Sequence, residues 1–121
     1  MINLSDLQNF PKDFKFGVAT SSYQIEGNNY GGCGKSIWDD FAKRKLSGID
    51  GKNACNHIKY FKEDIKLIKE AGFKAYRFSF AWPRLFPDND KDANLKGLDF
   101  YKRLLDEINN CLLYTSDAAD D

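Results

Sequence analysis

Equal numbers of basic and acidic residues, 18 of each in a chain of 121, leave no net charge, and 42% of the residues are hydrophobic. The balance gives no general attraction to nucleic acid or to an anionic membrane, and so hydrophobic a composition excludes a disordered chain. No apolar run approaches the roughly 20 residues that span a bilayer, and residues 1–10 lack the features of a signal peptide. We therefore expect one domain, or part of one, that is cytoplasmic and has neither a nucleic-acid partner nor a membrane partner.

The first predicted element is a strand within FPKDFKFGVATSSYQIEG, residues 10–27. Bulky and small side chains alternate along it, so one face of the strand is bulky and the other is narrow. Beyond Ser21 the residues become polar, and Gln24 would lie at the carboxyl end of the strand, where barrels of alternating strands and helices bind ligands. Its amide offers a donor beside an acceptor, which suits paired sugar hydroxyls. The alternative is a loop glutamine bonded to backbone.

A glycine-rich loop follows, NNYGGCGKS at residues 28–36. A phosphate-binding loop is one interpretation, but the G-x-x-x-x-G-K-[ST] spacing is absent. A long loop on the ligand-binding side is favoured instead. It leads into a helix from Ser36 to Lys45, with Ser36 as the N-cap. We expect Ile37, Trp38 and Phe41 to face inward.

An amphipathic helix is predicted from about Asn56 to Ala71, with Gly72 as its C-cap. Its apolar stripe consists of Ile58, Phe61, Ile65 and Ile68. His57 is the only histidine in the sequence, so it cannot form a multi-histidine metal site, and we expect it at the surface. The three cysteines are odd in number and widely spaced, which indicates free thiols.

The stretch KAYRFSFAWPRLFP, residues 74–87, reads as a buried strand that ends in a Trp-Pro turn. Alternation places Tyr76, Phe78, Phe80 and Trp82 on one face and Ala75, Arg77, Ser79 and Ala81 on the other. That split suits a sheet with helices packed outside it and a crowded interior. A guanidinium directed into such an interior is costly unless it is paired, so Arg77 predicts a carboxylate partner. The alternative is an arginine whose head reaches solvent.

A third helix is predicted from about Leu95 to Asn109, with Asn94 as its cap and an apolar stripe of Leu98, Tyr101, Leu105 and Ile108. Strands thus alternate with helices, which is the order of a parallel βα repeat. The last residues, CLLYTSDAADD, lack strand alternation and resemble a translated sequencing adaptor. We therefore assign residues 1–110 to one partial domain and expect residues 111–121 to be a non-native tail.

Four segments in this order and spacing resemble the amino-terminal part of glycoside hydrolase family 1, the β-glucosidase family: FPKDFKFGVATSSYQIEG, GKSIWDDF, ACNHIKYFKEDIKLIKEAGFKAYRFSFAWPRLFP and NLKGLDFYKRLLDEI. The resemblance covers about Phe10 to Asn109. It implies an α/β fold, about two βα units of a (β/α)8 TIM barrel, and a retaining β-glycosidase that hydrolyses β-glucosides or oligosaccharides. By resemblance, Gln24 binds hydroxyls of the non-reducing sugar and Arg77 lies beside the catalytic nucleophile. No metal or organic cofactor is implied, because this chemistry needs only carboxyl groups and water.

The sequence departs from the family pattern in ways that bear on activity. Asn28 stands where a small residue is usual and Asn56 where an aspartate is usual, and both positions tolerate the change. The family carries its catalytic glutamates in Asn-Glu-Pro and Thr-Glu-Asn-Gly segments, and neither segment occurs here. The four glutamates of the sequence are Glu26, Glu63, Glu70 and Glu107. The resemblance therefore implies a fragment that lacks both catalytic glutamates and is itself inactive.

Two other functions remain open. A 6-phospho-β-glycosidase would hold its phosphate through residues outside this stretch, although TSSYQIEG looks more like the unphosphorylated branch. A self-standing sugar-binding or scaffold protein is the other alternative. Two parallel strands with unpaired edges and uncovered aromatic faces argue against it.

Overall fold

The computed structural model describes residues 9–88, 91–111 and 114–117 of the chain. Three strands alternate with helices in the order β1 (Gly17–Ala19), α1 (Ser22–Ile25), α2 (Ile37–Lys45), α3 (His57–Glu70), β2 (Ala75–Phe78), α4 (Trp82–Leu85), α5 (Leu95–Asn110) and β3 (Tyr114–Asp117). All strand pairs are parallel and the sheet order is β1-β2-β3. The predicted parallel βα arrangement is confirmed. None of the helices in the described ranges is long and apolar enough to cross a membrane.

The first two strands pair in a register that brings Gly17 opposite Ala75. A Cβ added at Gly17 would lie 2.6 Å from the carbonyl oxygen of Ala75, so glycine is what allows the strands to approach here. Val18, on the other face, packs against the core. The predicted alternation of bulky and small faces is thus confirmed within β1.

The core lies on one face of the sheet, under α3 and α5. Tyr76 and Phe78 of β2 are buried there, and the residues that enclose them are Phe61 and Ile65 of α3 and Phe100, Tyr101, Leu104 and Ile108 of α5. Arg77 points to the opposite face and is exposed. The predicted split between a bulky and a narrow face is therefore confirmed for β2.

The prediction that Trp82 belongs to this strand is wrong. Trp82 begins helix α4 and is 59% exposed. Proline fits the first positions of a helix, where its missing N–H is not needed, and Pro83 occupies such a position. The strand therefore ends at Phe78, and the chain becomes helical at Trp82.

Helix α3 follows its prediction to within one residue at each end. Phe61 and Ile65 are buried, Ile58 and Ile68 are half-buried, and Gly72 has a φ of +85° just after the helix. Asn56 precedes the helix with a φ of +51° and makes no capping bond through its side chain. Asparagine tolerates this left-handed conformation better than most residues, so it suits this position.

Helix α5 has the expected cap but a different buried face. Asn94 accepts a hydrogen bond from the amide of Lys96, as predicted. Leu98 is exposed and Leu105 is only half-buried, whereas Gly97, Phe100 and Leu104 are buried together with Tyr101 and Ile108. A Cβ at Gly97 would lie 2.5 Å from the carbonyl oxygen of Arg84. This close approach to α4 fixes the rotation of α5, and the apolar spacing alone could not reveal it.

The predicted inward face of α2 is wrong for the residues described. Ser36 caps the helix as expected, but Ile37, Trp38 and Phe41 are exposed and Ala42 is the buried residue of the helix. The reason is that α2 has no extensive contact with any described strand or other helix.

The expectation for His57 is also wrong. Its side chain is buried, with Nδ1 2.6 Å from a carboxylate oxygen of Asp64 and its ring edge-on to Phe100. The start of α3 lies under α5, which is why this position is enclosed. The cysteines Cys33, Cys55 and Cys111 are free thiols, as predicted.

A strand lies within the stretch that was expected to be a non-native tail. Residues Tyr114–Asp117 form β3, which pairs in parallel with all four residues of β2. A strand thus forms here although the sequence lacks the alternation that is typical of one. The non-native origin of these residues stays a prediction.

Candidate functional site

The carboxyl ends of β1 and β2 meet at one edge of the sheet, and the polar residues singled out by the sequence lie there. The amide of Thr20 donates to the carbonyl oxygen of Arg77 at 2.9 Å, which extends the pairing of the two strands beyond Ala19. Gln24 follows on α1, and Ser79 follows β2. Ligands bind at this edge in parallel α/β folds.

Arg77 presents its charge on the open face of the sheet. It is exposed, and it makes no hydrogen bond or ion pair with any residue in the described ranges. The carboxylate that we predicted as its partner is thus not found among those residues. Arg77 is instead exposed, as in the alternative of an arginine whose head reaches solvent.

Gln24 is exposed on α1, a helix of a single turn. Its side-chain amide makes no hydrogen bond within the described part of the chain, so the alternative of a loop glutamine bonded to backbone is not what the structure has. The start of the turn is fixed by Ser79, whose Oγ accepts from the amide of Ser22 at 2.9 Å and donates to the Ser22 hydroxyl at 3.2 Å. The turn that carries Gln24 is thus fixed at its start, and the Gln24 side chain is exposed.

A buried ion pair joins Arg84 to Glu26, which lies two positions after Gln24 in the chain. The side chains of Glu26 and Arg84 are 4% and 1% exposed, and Nε of Arg84 donates to Oε2 of Glu26 at 2.8 Å. The hydroxyl of Tyr101 donates to the other carboxylate oxygen at 2.8 Å and accepts from the amide of Ala81 at 2.6 Å. The pair thus joins the loop after β1 to α4 and α5.

Burial dominates the electrostatics of this cluster. It raises the pKa of Glu26 above its ordinary value, while the hydrogen bond and charge of Arg84 and the hydrogen bond of Tyr101 offset part of that rise. Burial and the neighbouring charge of Glu26 also raise the pKa of Tyr101, so the phenol stays protonated and donates to the carboxylate.

Sequence reasoning missed this pair. The pattern placed Glu26 in a strand-end loop and gave Arg84 no role. One available signal was that an acidic and a basic residue follow two adjacent parallel strands at similar distances along the chain, which brings them to the same edge of the sheet.

The glycine-rich loop is docked through its carbonyl groups. Arg84 donates from its two terminal nitrogens to the carbonyl oxygens of Tyr30, at 2.5 Å, and Gly27, at 3.2 Å. Asn94 donates to the carbonyl oxygen of Gly31 at 2.7 Å. A phosphate cradle needs amide groups that converge on an anion. These contacts therefore support the interpretation of a structural loop on the ligand-binding side over that of a phosphate-binding loop.

Asp39 fixes α2 beside this loop. It accepts hydrogen bonds from the amide and hydroxyl of Ser36, from the side chain of Asn28 and from the hydroxyl of Tyr23. The Tyr23 hydroxyl also accepts from the amide of Gly51 at 3.2 Å, and burial raises its pKa. Asn28, one of the two departures from the family pattern, therefore gains a partner, and Tyr23 is held in place immediately before Gln24.

Gln24 and Arg77 are both exposed at this edge of the sheet. Two hollows of about 410 and 480 Å³ are formed instead against α5. Neither is lined by Gln24 or Arg77. A closed pocket around these two residues would require walls beyond the part of the chain that the structure describes.

Comparison with known proteins gives a consistent result. Residues 6–115 match the family described as Glycosyl hydrolase family 1. The chain is 54% identical over 99 residues to β-glucosidase A of Acetivibrio thermocellus, and 47% identical over 105 residues to the aryl-phospho-β-D-glucosidase BglC of Bacillus subtilis. These matches cover 78% and 84% of the chain but only 22% of each relative.

Solved structures agree with the sequence matches. The family 1 β-glucosidase from Thermotoga maritima superposes with a TM-score of 0.84 at 42% identity, over 93% of this chain and 26% of that one. The virulence factor SghA, solved with its substrate analogue salicin, superposes with a TM-score of 0.82 at 47% identity, over 88% of this chain and 24% of that one. The chain therefore spans about a quarter of the length of these relatives, and the predicted partial TIM barrel is confirmed.

Proposed function

Because this chain belongs to glycosyl hydrolase family 1, we propose that it forms the amino-terminal part of a retaining β-glucosidase. In that enzyme Gln24 binds hydroxyls of the glucose unit and Arg77 supports the nucleophilic carboxylate. The observation that carries the proposal is that both side chains lie at the carboxyl edge of the sheet and lack a hydrogen-bonding partner among the described residues. The same edge holds the active site of TIM-barrel enzymes.

The chemistry assigns each residue a distinct task. Retaining hydrolysis needs two carboxyl groups about 5 Å apart, one as nucleophile and one as acid and base. A guanidinium beside the nucleophile lowers the pKa of that carboxyl and keeps it ionised for attack. The amide of Gln24 donates to one hydroxyl of the sugar and accepts from its neighbour.

The glutamates of the chain do not supply those two carboxyl groups. Glu63 and Glu70 lie on α3 and Glu107 lies on α5, the helices on the other side of the sheet from Arg77. Glu26 is committed to Arg84. We therefore propose that the chain is inactive alone and that both catalytic glutamates belong to the remainder of the barrel.

A 6-phospho-β-glucosidase is the second candidate. It is supported by the 47% identity to the aryl-phospho-β-D-glucosidase of B. subtilis, close to the value for the β-glucosidase relatives. The two candidates share the roles of Gln24 and Arg77 and differ in the group that the sugar carries.

A chimera tests the proposal. Residues 10–109 would replace the matching segment of β-glucosidase A of A. thermocellus, and the purified protein would be assayed with an aryl β-glucoside and its 6-phosphate. We expect turnover of the glucoside. Arg77→Met should lower kcat about 10²-fold or more, as expected for loss of a charge that stabilises the reacting groups. Gln24→Ala should lower kcat/KM about tenfold or more.

Arg44→Met is the matched control, because Arg44 is an exposed arginine on α2. The Arg44→Met variant should leave kcat and kcat/KM unchanged. A chimera that lacks glycosidase activity, or an Arg77→Met variant with the kcat of the unsubstituted chimera, would refute the proposed function.

A further inference from the structure

The structure explains how Gln24 could be held with the precision that sugar binding needs. α1 contains only four residues, too few to be stable as an isolated helix. The turn is anchored on the upstream side by the bond from the Ser22 amide to Ser79. On the downstream side the anchor is Glu26, two positions beyond Gln24, which is buried against Arg84. The segment that carries Gln24 is thus fixed by a contact on each side of it.

Arg84 contacts more of this segment than Glu26 alone. The same guanidinium donates to the carbonyl oxygens of Gly27 and Tyr30, so three acceptors from one loop converge on one planar group. An arginine fork fixes orientation as well as distance, which a lysine ammonium would not do. The Cβ that alanine would add at Gly31 would meet this guanidinium at 2.9 Å, so the fit around it is close.

We propose that the buried ion pair Glu26–Arg84 positions Gln24 for sugar binding, in addition to stabilising the fold. The inference rests on the proposed function. Glu26 and Arg84 are positioning residues: neither is exposed to a ligand, and both act through the segment that carries Gln24. A binding group must be held to within about 0.5 Å by such supporting contacts.

A double-mutant cycle in the chimera separates positioning from bulk stability. Glu26→Gln keeps the size of the side chain but removes its charge, and it should lower kcat/KM for the aryl glucoside about tenfold, mainly through KM. In a Gln24→Ala background the same change should cost less than about twofold, because coupled residues are not additive. Rates would be normalised to the active fraction, titrated with a fluorinated glucoside that traps the glycosyl-enzyme.

Two further variants complete the experiment. Tyr101→Phe removes two hydrogen bonds, the one that the hydroxyl donates to Glu26 and the one that it accepts from the amide of Ala81, so it tests the same positioning without removing a charge. It should show the same dependence on Gln24. Glu70→Gln on the exposed face of α3 is the control and should leave kcat/KM unchanged in both backgrounds.

The outcomes are distinct. Equal losses in both backgrounds, or losses fully explained by the active fraction, would overturn the positioning role and leave the proposed function standing. An unsubstituted chimera without activity would overturn the proposed function itself.

Discussion

The isolated 121-residue chain should not form a cooperatively folded protein. Folded monomers of its mass, 13.9 kDa, expose about 6,700 Å² by the size scaling of compact proteins. This chain exposes 9010 Å². The excess of about 2,300 Å² is more than half apolar if it has the usual surface composition, so at about 25 cal/mol per Å² roughly 30 kcal/mol of hydrophobic stabilisation is not realised.

That shortfall is large compared with the free energy of unfolding of whole domains, which is about 5–15 kcal/mol. Its location is visible in the structure. The rings of Phe10, Phe14 and Phe16 contact one another yet are 40–48% exposed, and Trp38 and Trp82 are more than half exposed. We expect neighbouring strands and helices to cover the same residues in a complete barrel.

Urea titration followed by near-ultraviolet circular dichroism, together with amide spectra, tests this prediction. We expect no sigmoidal transition, poor amide dispersion, and binding of a dye that reports exposed apolar surface. A single cooperative transition with an m-value of about 1–3 kcal/mol/M and dispersed amide signals would refute the reasoning. It would also favour the self-standing sugar-binding alternative, which binding of a glucoside to the isolated chain could then test.

The other predictions concern the chimera. Ile65→Ala should lower the free energy of unfolding by about 2–5 kcal/mol because Ile65 is fully buried; Leu67→Ala, at a 63% exposed position of the same helix, should change it by less than about 0.5 kcal/mol in the same urea titrations. Gly97→Ala should lower the melting temperature, because the added Cβ would lie 2.5 Å from a carbonyl oxygen of α4; an unchanged melting temperature would show that α5 can shift. Folding raises the pKa of Glu26 above its ordinary value of 4.5. Between pH 4.5 and the raised pKa the folded state therefore holds a proton that the unfolded state has lost. The stability that Glu26 contributes is full below pH 4.5 and is lost as the pH rises through the raised pKa. Glu26→Gln should therefore abolish the fall of the urea midpoint with rising pH above pH 4.5, and Glu70→Gln should leave that fall unchanged.

Local patterns predicted the elements that depend only on local burial. The alternation in β1 and β2 placed Val18, Tyr76 and Phe78 on the core side, and the spacing on α3 identified Phe61 and Ile65. These predictions succeed because the spacing of apolar residues within one element indicates both its side-chain period and the face that it buries.

Contacts between elements could not be predicted in this way. The rotation of α5 depends on the approach of Gly97 to α4, and the burial of His57 depends on Phe100 of a distant helix. A parallel strand pairs through main-chain groups, so β3 can pair with β2 without the alternation whose absence argued against a strand. In each case the deciding partner lies far along the sequence.

The two arginines near β2 show where this limit affects function. Alternation singled out Arg77 and left two interpretations, a carboxylate partner or a head in solvent, whereas the arginine paired with a buried carboxylate in the described part of the chain is Arg84. The two-residue period of side chains holds only within a strand, and Arg84 lies beyond β2 on helix α4, so alternation could not assign a direction to Arg84. Because Arg84 is already satisfied by Glu26 and two carbonyl groups, it cannot serve a nucleophile. Arg77 is exposed at the carboxyl edge of the sheet and makes no ion pair with the described residues, and for this reason we propose Arg77, of the two, as the partner of a catalytic carboxylate.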